Sequence, residues 1–142
     1  MPAAPQVSVI VPLFNEEENV AELQSQLEAA LKNFTHELVF VDDGSTDATA
    51  DRVRASDSVR VLRFEKNAGQ SAAMYAGIHA ATGDVIVMID GDLQNDPADI
   101  PALVDKLNEG HDLVCGYRAR RKDTSFKRLQ SRIANAVRSR FI

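Results

Sequence analysis

The chain has 142 residues, of which 44% are hydrophobic and 26% are charged, which is the length and composition of one globular domain. It contains neither an apolar run of about 18 residues nor a basic start followed by an apolar stretch, so it is predicted to be cytosolic, without a membrane span or signal peptide. The net charge of −5 is unevenly divided, because residues 1–117 carry 7 Lys and Arg against 20 Asp and Glu, whereas residues 118–142 carry 9 against 1.

Apolar runs and helical patterns alternate along the chain. Strands are predicted at residues 7–13, 37–41, 59–64, 84–89 and 111–116. Helices are predicted at residues 17–32, after the capping residues 42–47 to about residue 56, and at 71–81, 98–108 and 125–142. Gly83 suits the left-handed end of the third helix, and Cys115 is expected to be a packed thiol within the fifth strand.

The strands have no alternation of apolar and polar residues. Uninterrupted apolar strands between helices are typical of a parallel sheet that is covered on both faces, since alternation is expected only where one face meets water. The sequence therefore predicts an α/β fold with an open, mostly parallel sheet and helices on both faces.

The last predicted helix, at residues 125–142, is amphipathic and basic. Its apolar positions recur at helical spacing and are Phe126, Leu129, Ile133, Val137 and Phe141. Such a helix either lies in an anionic membrane interface or packs on the protein with a solvated basic face. Its charge indicates an anionic partner, which could be a phosphate-bearing ligand, a membrane surface or nucleic acid.

Polar clusters follow four of the predicted strands, and in open parallel sheets ligands bind at those carboxyl ends. The clusters occupy residues 12–17, 42–45, 67–70 and 90–94, and they are expected to converge on one rim. The glycine-rich motifs of dinucleotide-binding and P-loop proteins are absent from the sequence, which argues against both classes.

The cluster Asp90-Gly91-Asp92-Leu93-Gln94 follows the most apolar strand. In an extended segment, residues two apart point the same way, so Asp90, Asp92 and Gln94 are expected to present their oxygens together. Carboxylate and carbonyl oxygens are the ligands that Mg²⁺ or Mn²⁺ prefers, with phosphates and water completing the shell. The alternative is a solvated acidic turn, and for Asp96 a helix-capping role is favoured.

Four motifs carry a resemblance to a known family. They are residues 9–17 (VIVPLFNEE), 41–47 (VDDGSTD), 67–69 (NAG) and 90–97 (DGDLQNDP). Together they resemble the inverting family 2 glycosyltransferases of GT-A (Rossmann-like) fold. With Gly116-Tyr117-Arg118 and Phe126-Lys127-Arg128 they most resemble the polyprenyl-phosphate sugar transferases, such as dolichyl-phosphate mannose synthases and undecaprenyl-phosphate glucosyltransferases.

The resemblance implies a role for each matching residue. The nucleotide-binding set would be Pro12, Asn15, Glu16, Asp42, Asp43, Asn67, Gly69 and Asp90, although Asn67 and Gly69 could simply shape a turn. The metal ligands would be Asp90, Asp92 and Gln94. Asp92, Arg118 and Arg128 would be catalytic, with Lys127 and Arg128 binding the acceptor phosphate.

The resemblance also implies partners and a division of the chain. Residues 1–117 would bind the UDP- or GDP-sugar donor with Mg²⁺ or Mn²⁺, and residues 118–142 would meet the polyprenyl phosphate at the cytoplasmic face of an anionic membrane. A phosphate acceptor needs no general base because it is mostly dianionic at neutral pH. No nucleic-acid partner is expected, because reader motifs and interleaved aromatics are absent from the sequence.

Three other readings of the sequence stay open. A family 2 transferase could act on a glycan or soluble acceptor, although residues 118–142 contain Asp123 as their one acid to serve as a base. The chain could also be a nucleotide-sugar-binding fragment without activity. A receiver-like signalling domain also places acids at strand ends, but it gives no role to the acidic cluster or the basic tail.

Overall fold

The computed structural model describes residues 5–117, which form a parallel sheet with helices on both faces. The strands are β1 (Val7–Leu13), β2 (His36–Asp42), β3 (Val59–Arg63) and β4 (Val85–Met88), in the order β3-β2-β1-β4. The α-helices are α1 (Val20–Ala30), α2 (Gln70–Ala80) and α3 (Ile100–Leu107), and short 3₁₀ turns occupy Ala50–Arg52 and Pro97–Asp99. The predicted α/β fold is confirmed.

The two central strands are buried on both faces. In β1, Val7, Val9 and Val11 face a core that also contains Leu23 and Leu27 of α1, and residues of α3 complete that core. Ile10 faces a smaller core on the other side of the sheet, where it meets Ala73 of α2 together with Val39 and Val41. The uninterrupted apolar character of β1 and β2 is therefore explained by coverage on both faces.

Strand β4 departs from this arrangement. It pairs with β1 in parallel register, with Ile10 opposite Met88 and Ser8 opposite Ile86. Ile86 is 43% exposed and Met88 is 51% exposed, whereas Val85 and Val87 pack against the larger core. Within residues 5–117, the expectation of an equally covered strand is wrong for this face of β4.

The helix expected to run from the 42–47 cap to about residue 56 is reduced to the 3₁₀ turn Ala50–Arg52. The buried side chain of Gln24 explains the interruption. Its Nε2 donates to the carbonyl of Arg54 at 2.9 Å, and its Oε1 accepts from the amide of Arg54 at 2.9 Å. Because α1 thus binds both backbone groups of Arg54, and Val53 is extended, the segment does not continue as a helix.

Three smaller expectations also need correction. Helix α2 ends through Ala81 in an extended conformation, and Gly83 does not have a positive φ, so it is not a left-handed cap. Within the described chain no strand includes residues 111–116, although Gly110 does adopt a positive φ of 108° after α3. Cys115 is exposed rather than packed, because it has no strand to bury it.

Arg118, Lys127, Arg128 and the helix predicted at 125–142 lie outside the described residues, as does the division of the chain at residue 118. In residues 5–117, no helix combines the length and apolar character that crossing a bilayer requires.

A buried carboxylate connects the four strands near their amino-terminal ends. Glu37 of β2 accepts hydrogen bonds from Ser8 of β1 at 2.6 Å, from Arg60 of β3 at 2.6 Å and from the amide of Thr82, just before β4, at 2.6 Å. Burial raises the pKa of Glu37, but the hydrogen bonds from Ser8, Thr82 and Arg60 outweigh burial and lower this pKa overall. The fold therefore favours the ionised form.

This arrangement predicts an acid-sensitive contribution to stability. A carboxyl whose pKa is lowered on folding stabilises the folded state above its unfolded pKa, and the stabilisation is lost as the pH falls through the folded pKa. We expect Glu37→Gln to lower the free energy of unfolding at pH 7 by roughly 1–3 kcal/mol, with a smaller difference from the native chain at acid pH.

Urea unfolding at several pH values measures both effects. Glu109→Gln is the matched control, because Glu109 is exposed and, within residues 5–117, pairs with Lys106 and His111 near the end of α3. This control is expected to cost less than about 0.5 kcal/mol. Equal losses in the two variants, or a loss that does not change with pH, would contradict the role assigned to Glu37.

Candidate active site

A cleft of about 360 Å³ opens at the carboxyl ends of the strands. This size falls in the usual range for small-molecule sites. Its lining residues come from the end of β1 and from the segments that follow β1, β2, β3 and β4, and they are Pro12, Leu13, Phe14, Glu16, Asp43, Asn67, Gly69, Gln70, Asp90, Gly91 and Asp92. The predicted convergence of polar clusters on one rim is therefore present.

The end of β1 and the loop after it contribute to the cleft in two ways. Pro12, near the end of β1, and Glu16, in the loop after it, both line the cleft. Asn15 does not line it and instead bridges to the loop after β2, where its Oδ1 accepts from the Thr46 amide at 2.9 Å. Its own amide donates to the Ser45 hydroxyl at 2.9 Å, and its φ of 52° is one that Asn tolerates better than most residues. The structure thus places Asn15 between two loops.

Asp43 holds the loop after β3 against the loop after β2. Asp43 is 3% exposed, and its side chain accepts from Asn67 Nδ2 at 3.0 Å, from the Ala68 amide at 2.7 Å and from the Gly69 amide at 2.9 Å. Gly44, with a φ of 70°, lies so close to this loop that a Cβ would be 2.5 Å from the amide nitrogen of Asn67. The two loops therefore form one packed unit.

Asp42 lies at the end of β2 but outside the cleft lining. It is 1% exposed, its Oδ1 accepts from the Ser45 amide at 3.3 Å, and its Oδ2 lies 3.8 Å from Arg63 Nε. The resemblance implies that Asp42 and Asp43 both bind the nucleotide. In the structure Asp43 lines the cleft, whereas Asp42 is buried and does not.

Asp96 fills the capping role predicted for it, whereas Asp47 binds within its own loop and the Ala50–Arg52 turn has no side-chain cap. Asp47 accepts from the Thr49 amide at 2.9 Å and from the Thr49 hydroxyl, whose hydrogen bond is the main reason that the pKa of Asp47 is lowered. Asp96 accepts from the Ala98 amide at 2.9 Å and so caps the Pro97–Asp99 turn, as predicted.

The acidic cluster is a turn rather than an extended segment. Leu93 has a φ of 60°, and the carboxylate of Asp92 accepts from the Gln94 amide at 3.1 Å. Asp90 and Asp92 both line the cleft, whereas Gln94 is exposed and does not. Because the chain turns at Leu93, the alternation expected of an extended segment does not apply here, and the role of Gln94 as a metal ligand stays a prediction.

Gly91 separates the two carboxylates and is buried against the end of β1. A Cβ at this position would be 2.6 Å from Leu13 Cδ2 and 3.2 Å from the Pro12 carbonyl oxygen. The turn therefore sits directly on the first loop, and this contact brings Asp90 and Asp92 next to the segment that contains Glu16.

Gln70 is a cleft residue for which no role of its own is predicted from the sequence. It is the first residue of α2, and its Nε2 donates to Asp90 Oδ1 at 2.8 Å. Its position in the sequence could have indicated a role in the cleft. Gln70 is a polar residue that directly follows the turn residues Asn67-Ala68-Gly69 and precedes an alanine-rich helix.

Asp90 and Asp92 are the residues here that could hold a divalent cation. Within residues 5–117 no three His, Cys, Asp or Glu side chains form a group that could hold a metal ion by themselves. Mg²⁺ is commonly bound by one or two carboxylates with substrate phosphates and water, not by an all-protein cage. This donor pair at the edge of an open cleft fits a cation that arrives with a phosphate ligand.

Comparison with known proteins identifies the family. The family model described as Glycosyl transferase family 2 matches residues 8–141. The chain belongs to glycosyl transferase family 2. The resemblance seen in the four sequence motifs is thereby confirmed.

Curated relatives in this family include polyprenyl-phosphate sugar transferases. A dodecaprenyl-phosphate galacturonate synthase from Rhizobium johnstonii is 45% identical over 131 residues, which are 87% of this chain and 39% of that protein. An undecaprenyl-phosphate 4-deoxy-4-formamido-L-arabinose transferase from Serratia proteamaculans is 39% identical over 138 residues, 92% of this chain and 42% of that protein. The chain thus spans about two fifths of the length of these relatives.

Solved glycosyltransferase structures share the fold. Glucosyl-3-phosphoglycerate synthase from Mycobacterium tuberculosis in complex with UDP has a TM-score of 0.66 and 32% identity, and the match covers 82% of this chain and 46% of that one. A mannosyltransferase from Pyrobaculum calidifontis in complex with GDP-Man and Mn²⁺ has a TM-score of 0.58 and 26% identity, covering 70% and 31%.

The contacts of Asp43 generate a prediction for the cleft. We expect Asp43→Asn to lower the free energy of unfolding by roughly 1–3 kcal/mol, because the new amide group faces N–H donors that lose their acceptor. Asp51→Asn is the control, since Asp51 is exposed and pairs with the exposed Arg63, and it should cost less than about 0.5 kcal/mol.

Urea unfolding of the two variants measures this difference. Slower hydrogen exchange at the amides of Ala68 and Gly69 in the native chain, lost in Asp43→Asn, would add site-specific support. If Asp43→Asn proved as stable as Asp51→Asn, the loop would not depend on the Asp43 carboxylate.

Proposed function

We propose that this chain is the donor-binding part of a metal-dependent inverting glycosyltransferase that moves a sugar from a nucleotide sugar to a polyprenyl phosphate. The observation that carries the proposal is the joining of Asp43, Asn67 and Gly69 with Asp90 and Asp92 around one cleft. Membership of family 2 and the names of the curated relatives support the reaction class and the type of acceptor.

The nucleoside is proposed to bind on the side of the cleft that Pro12, Glu16 and Asp43 line. Complexes of similar structures with UDP and with GDP-Man support a nucleoside diphosphate sugar as the donor. Because Asp43 already accepts three hydrogen bonds from the 67–69 loop, it is proposed to shape the nucleoside wall as well as contact it.

The donor diphosphate is proposed to lie beside Asp90 and Asp92 with Mg²⁺ or Mn²⁺. Similar structures in complex with Mn²⁺ and UDP or GDP-Man support the use of a divalent cation. When bound, such a cation would neutralise the negative charge that develops on the departing diphosphate. The two carboxylates would hold it with oxygens alone, which suits either ion.

The transfer itself is proposed as a direct displacement. An oxygen of the acceptor phosphate forms the new bond to the anomeric carbon while the bond from that carbon to the nucleoside diphosphate breaks, so the configuration inverts. The leaving electrons go to the diphosphate oxygen, and no proton has to be removed from the acceptor because a phosphate monoester is mostly dianionic at neutral pH. A general base is therefore not required.

The basic residues of 118–142 are proposed to bind the anionic acceptor. Arg118 would face the diphosphate, and Lys127 with Arg128 would bind the polyprenyl phosphate. The charge of this segment supports the assignment, since it carries 9 Lys and Arg with Asp123 as its single acid. The same charge would favour the cytoplasmic face of an anionic membrane.

A soluble phosphate-bearing acceptor is the second candidate. Glucosyl-3-phosphoglycerate synthase structures with phosphoglyceric acid favour it, with 31% identity and a TM-score of 0.62. The polyprenyl-phosphate relatives are 45% and 39% identical and match a larger share of the chain, so the lipid acceptor is preferred.

Donor binding is tested by calorimetric titration of UDP-glucose and GDP-mannose with and without Mn²⁺. We expect one of them to bind in a metal-dependent manner and Asp92→Ala to weaken that binding at least about tenfold, since a charged ligand to the cation is lost. Asp57→Ala is the control, because Asp57 is exposed and lies outside the cleft lining. Absence of binding by the native chain would contradict the proposed function.

Acceptor binding is tested by sugar transfer to undecaprenyl phosphate and, separately, to 3-phosphoglycerate. We expect transfer to the lipid, reduced by roughly 10- to 100-fold in Arg128→Ala because a charge-assisted contact to phosphate is lost. Arg140→Ala removes the same charge from the same segment and is expected to have a much smaller effect. Equal effects would indicate general attraction to the anionic substrate, and transfer only to phosphoglycerate would support the soluble acceptor.

A further inference from the structure

The side chain of Gln70 connects two walls of the cleft. Gln70 begins α2, on the wall formed by the loop after β3, whereas Asp90 belongs to the turn after β4. The Gln70 Nε2 donates to Asp90 Oδ1 at 2.8 Å, and both residues line the cleft. This hydrogen bond joins segments that are 20 residues apart and whose strands are not neighbours in the sheet.

The donor end of this contact is held in place by the structure around it. Gly69, directly before Gln70, has a φ of 97° that favours glycine, and its amide donates to Asp43 at 2.9 Å. The amide of Ala68 donates to the same buried carboxylate at 2.7 Å. Gln70 therefore starts its helix from a backbone that is fixed on one side by Asp43 and on the other by α2.

The acceptor end lies on the acidic turn. Asp90 is partly buried, and its Oδ1 accepts a hydrogen bond from a neutral amide, which orients the carboxylate without neutralising it. Asp92 is oriented in a comparable way, because its Oδ1 accepts from the Gln94 amide. Each of the two carboxylates at the cleft thus has one oxygen fixed by an amide donor.

We propose that Gln70 is a positioning residue that fixes the carboxylate of Asp90 relative to Asp92 and thereby sets the affinity of the cleft for a divalent cation bound with a nucleoside diphosphate. This inference rests on the proposed donor site. Groups that orient metal-binding carboxylates commonly change metal affinity by about 10- to 100-fold when they are removed. Gln70 acts through Asp90 and does not itself bind the cation.

The substitution Gln70→Met tests the contact, because it keeps a side chain of similar length and removes the amide donor. We expect the affinity for Mn²⁺ at saturating UDP, measured by the loss of the free Mn²⁺ electron paramagnetic resonance signal, to fall by about 10- to 100-fold. The melting temperature should change no more than in the control variant, because Gln70 is exposed.

Gln26→Met is the matched control. Gln26 Nε2 donates to Glu22 Oε1 at 2.8 Å on α1, so the same type of amide-to-carboxylate bond is removed away from the cleft. This variant is expected to bind Mn²⁺ with UDP like the native chain. If Gln70→Met also bound like the native chain while Asp92→Ala did not, the positioning role would be overturned and the donor site would stand.

A double-mutant cycle separates positioning from direct binding. Asp90→Asn keeps an oxygen ligand but changes the partner of Gln70, so adding Gln70→Met to it should weaken Mn²⁺ binding much less than in the native background. An undiminished effect in the double variant would mean that Gln70 meets the ligand itself, which overturns the proposal.

A ligand-free readout examines the contact directly. The side-chain amide signals of Gln70 in a ¹H–¹⁵N spectrum are identified by their loss in Gln70→Met and are expected to shift in Asp90→Asn. Unshifted signals would overturn the proposal, because the hydrogen bond would then not exist in solution. Absence of Mn²⁺·UDP binding by the native chain would overturn this proposal and the proposed function together.

Discussion

The carboxylate of Asp43 is the contact on which the geometry of the cleft depends. It stands at the end of β2, a central strand, and its own amide donates to the Leu13 carbonyl at the end of β1. Its side chain then binds the loop that follows β3 and leads into α2. Because α2 begins with Gln70, the contacts of this one buried side chain extend through the loop to Asp90 on the far side of the cleft. A buried carboxylate that accepts several amide hydrogen bonds is stable only in such a complete setting.

Buried carboxylates lie at both ends of the parallel strands, but their roles differ. At the amino-terminal ends of the strands, Glu37 accepts hydrogen bonds from residues in β1, in β3 and just before β4. These contacts join the strands and lie away from the cleft. At the carboxyl-terminal ends of the strands, Asp43 is also buried, but it lines an open cleft. The length of the strands thus separates the stabilising network around Glu37 from the ligand site. The effect of a substitution at one end of the strands on stability or binding can therefore be interpreted independently of the other end.

Much of the fold was predictable from the sequence because it depends on local patterns. Strands β1 to β4 and their parallel direction follow from apolar runs that alternate with helical segments, and the position of the cleft follows from the polar residues at strand ends. The helix expected before residue 56 failed for a non-local reason, because Gln24 on α1 binds the backbone of Arg54. Gln94 was expected at the cleft on the assumption that residues 90–94 are extended. The positive φ of Leu93 shows that the chain turns there instead. Gln70 could not be paired with Asp90 from the sequence, since their contact exists only once the crossover from β3 to β4 is formed.

The exposed face of β4 has a practical consequence for work with this chain in solution. Ile86 and Met88 lie side by side on that face, and within residues 5–117 the strand pairs only with β1. An edge strand with exposed apolar side chains is a template on which a second molecule can add a strand. The apparent stoichiometry of any titration therefore has to be read together with the molar mass of the species present, since an edge of this kind favours strand addition by a second molecule.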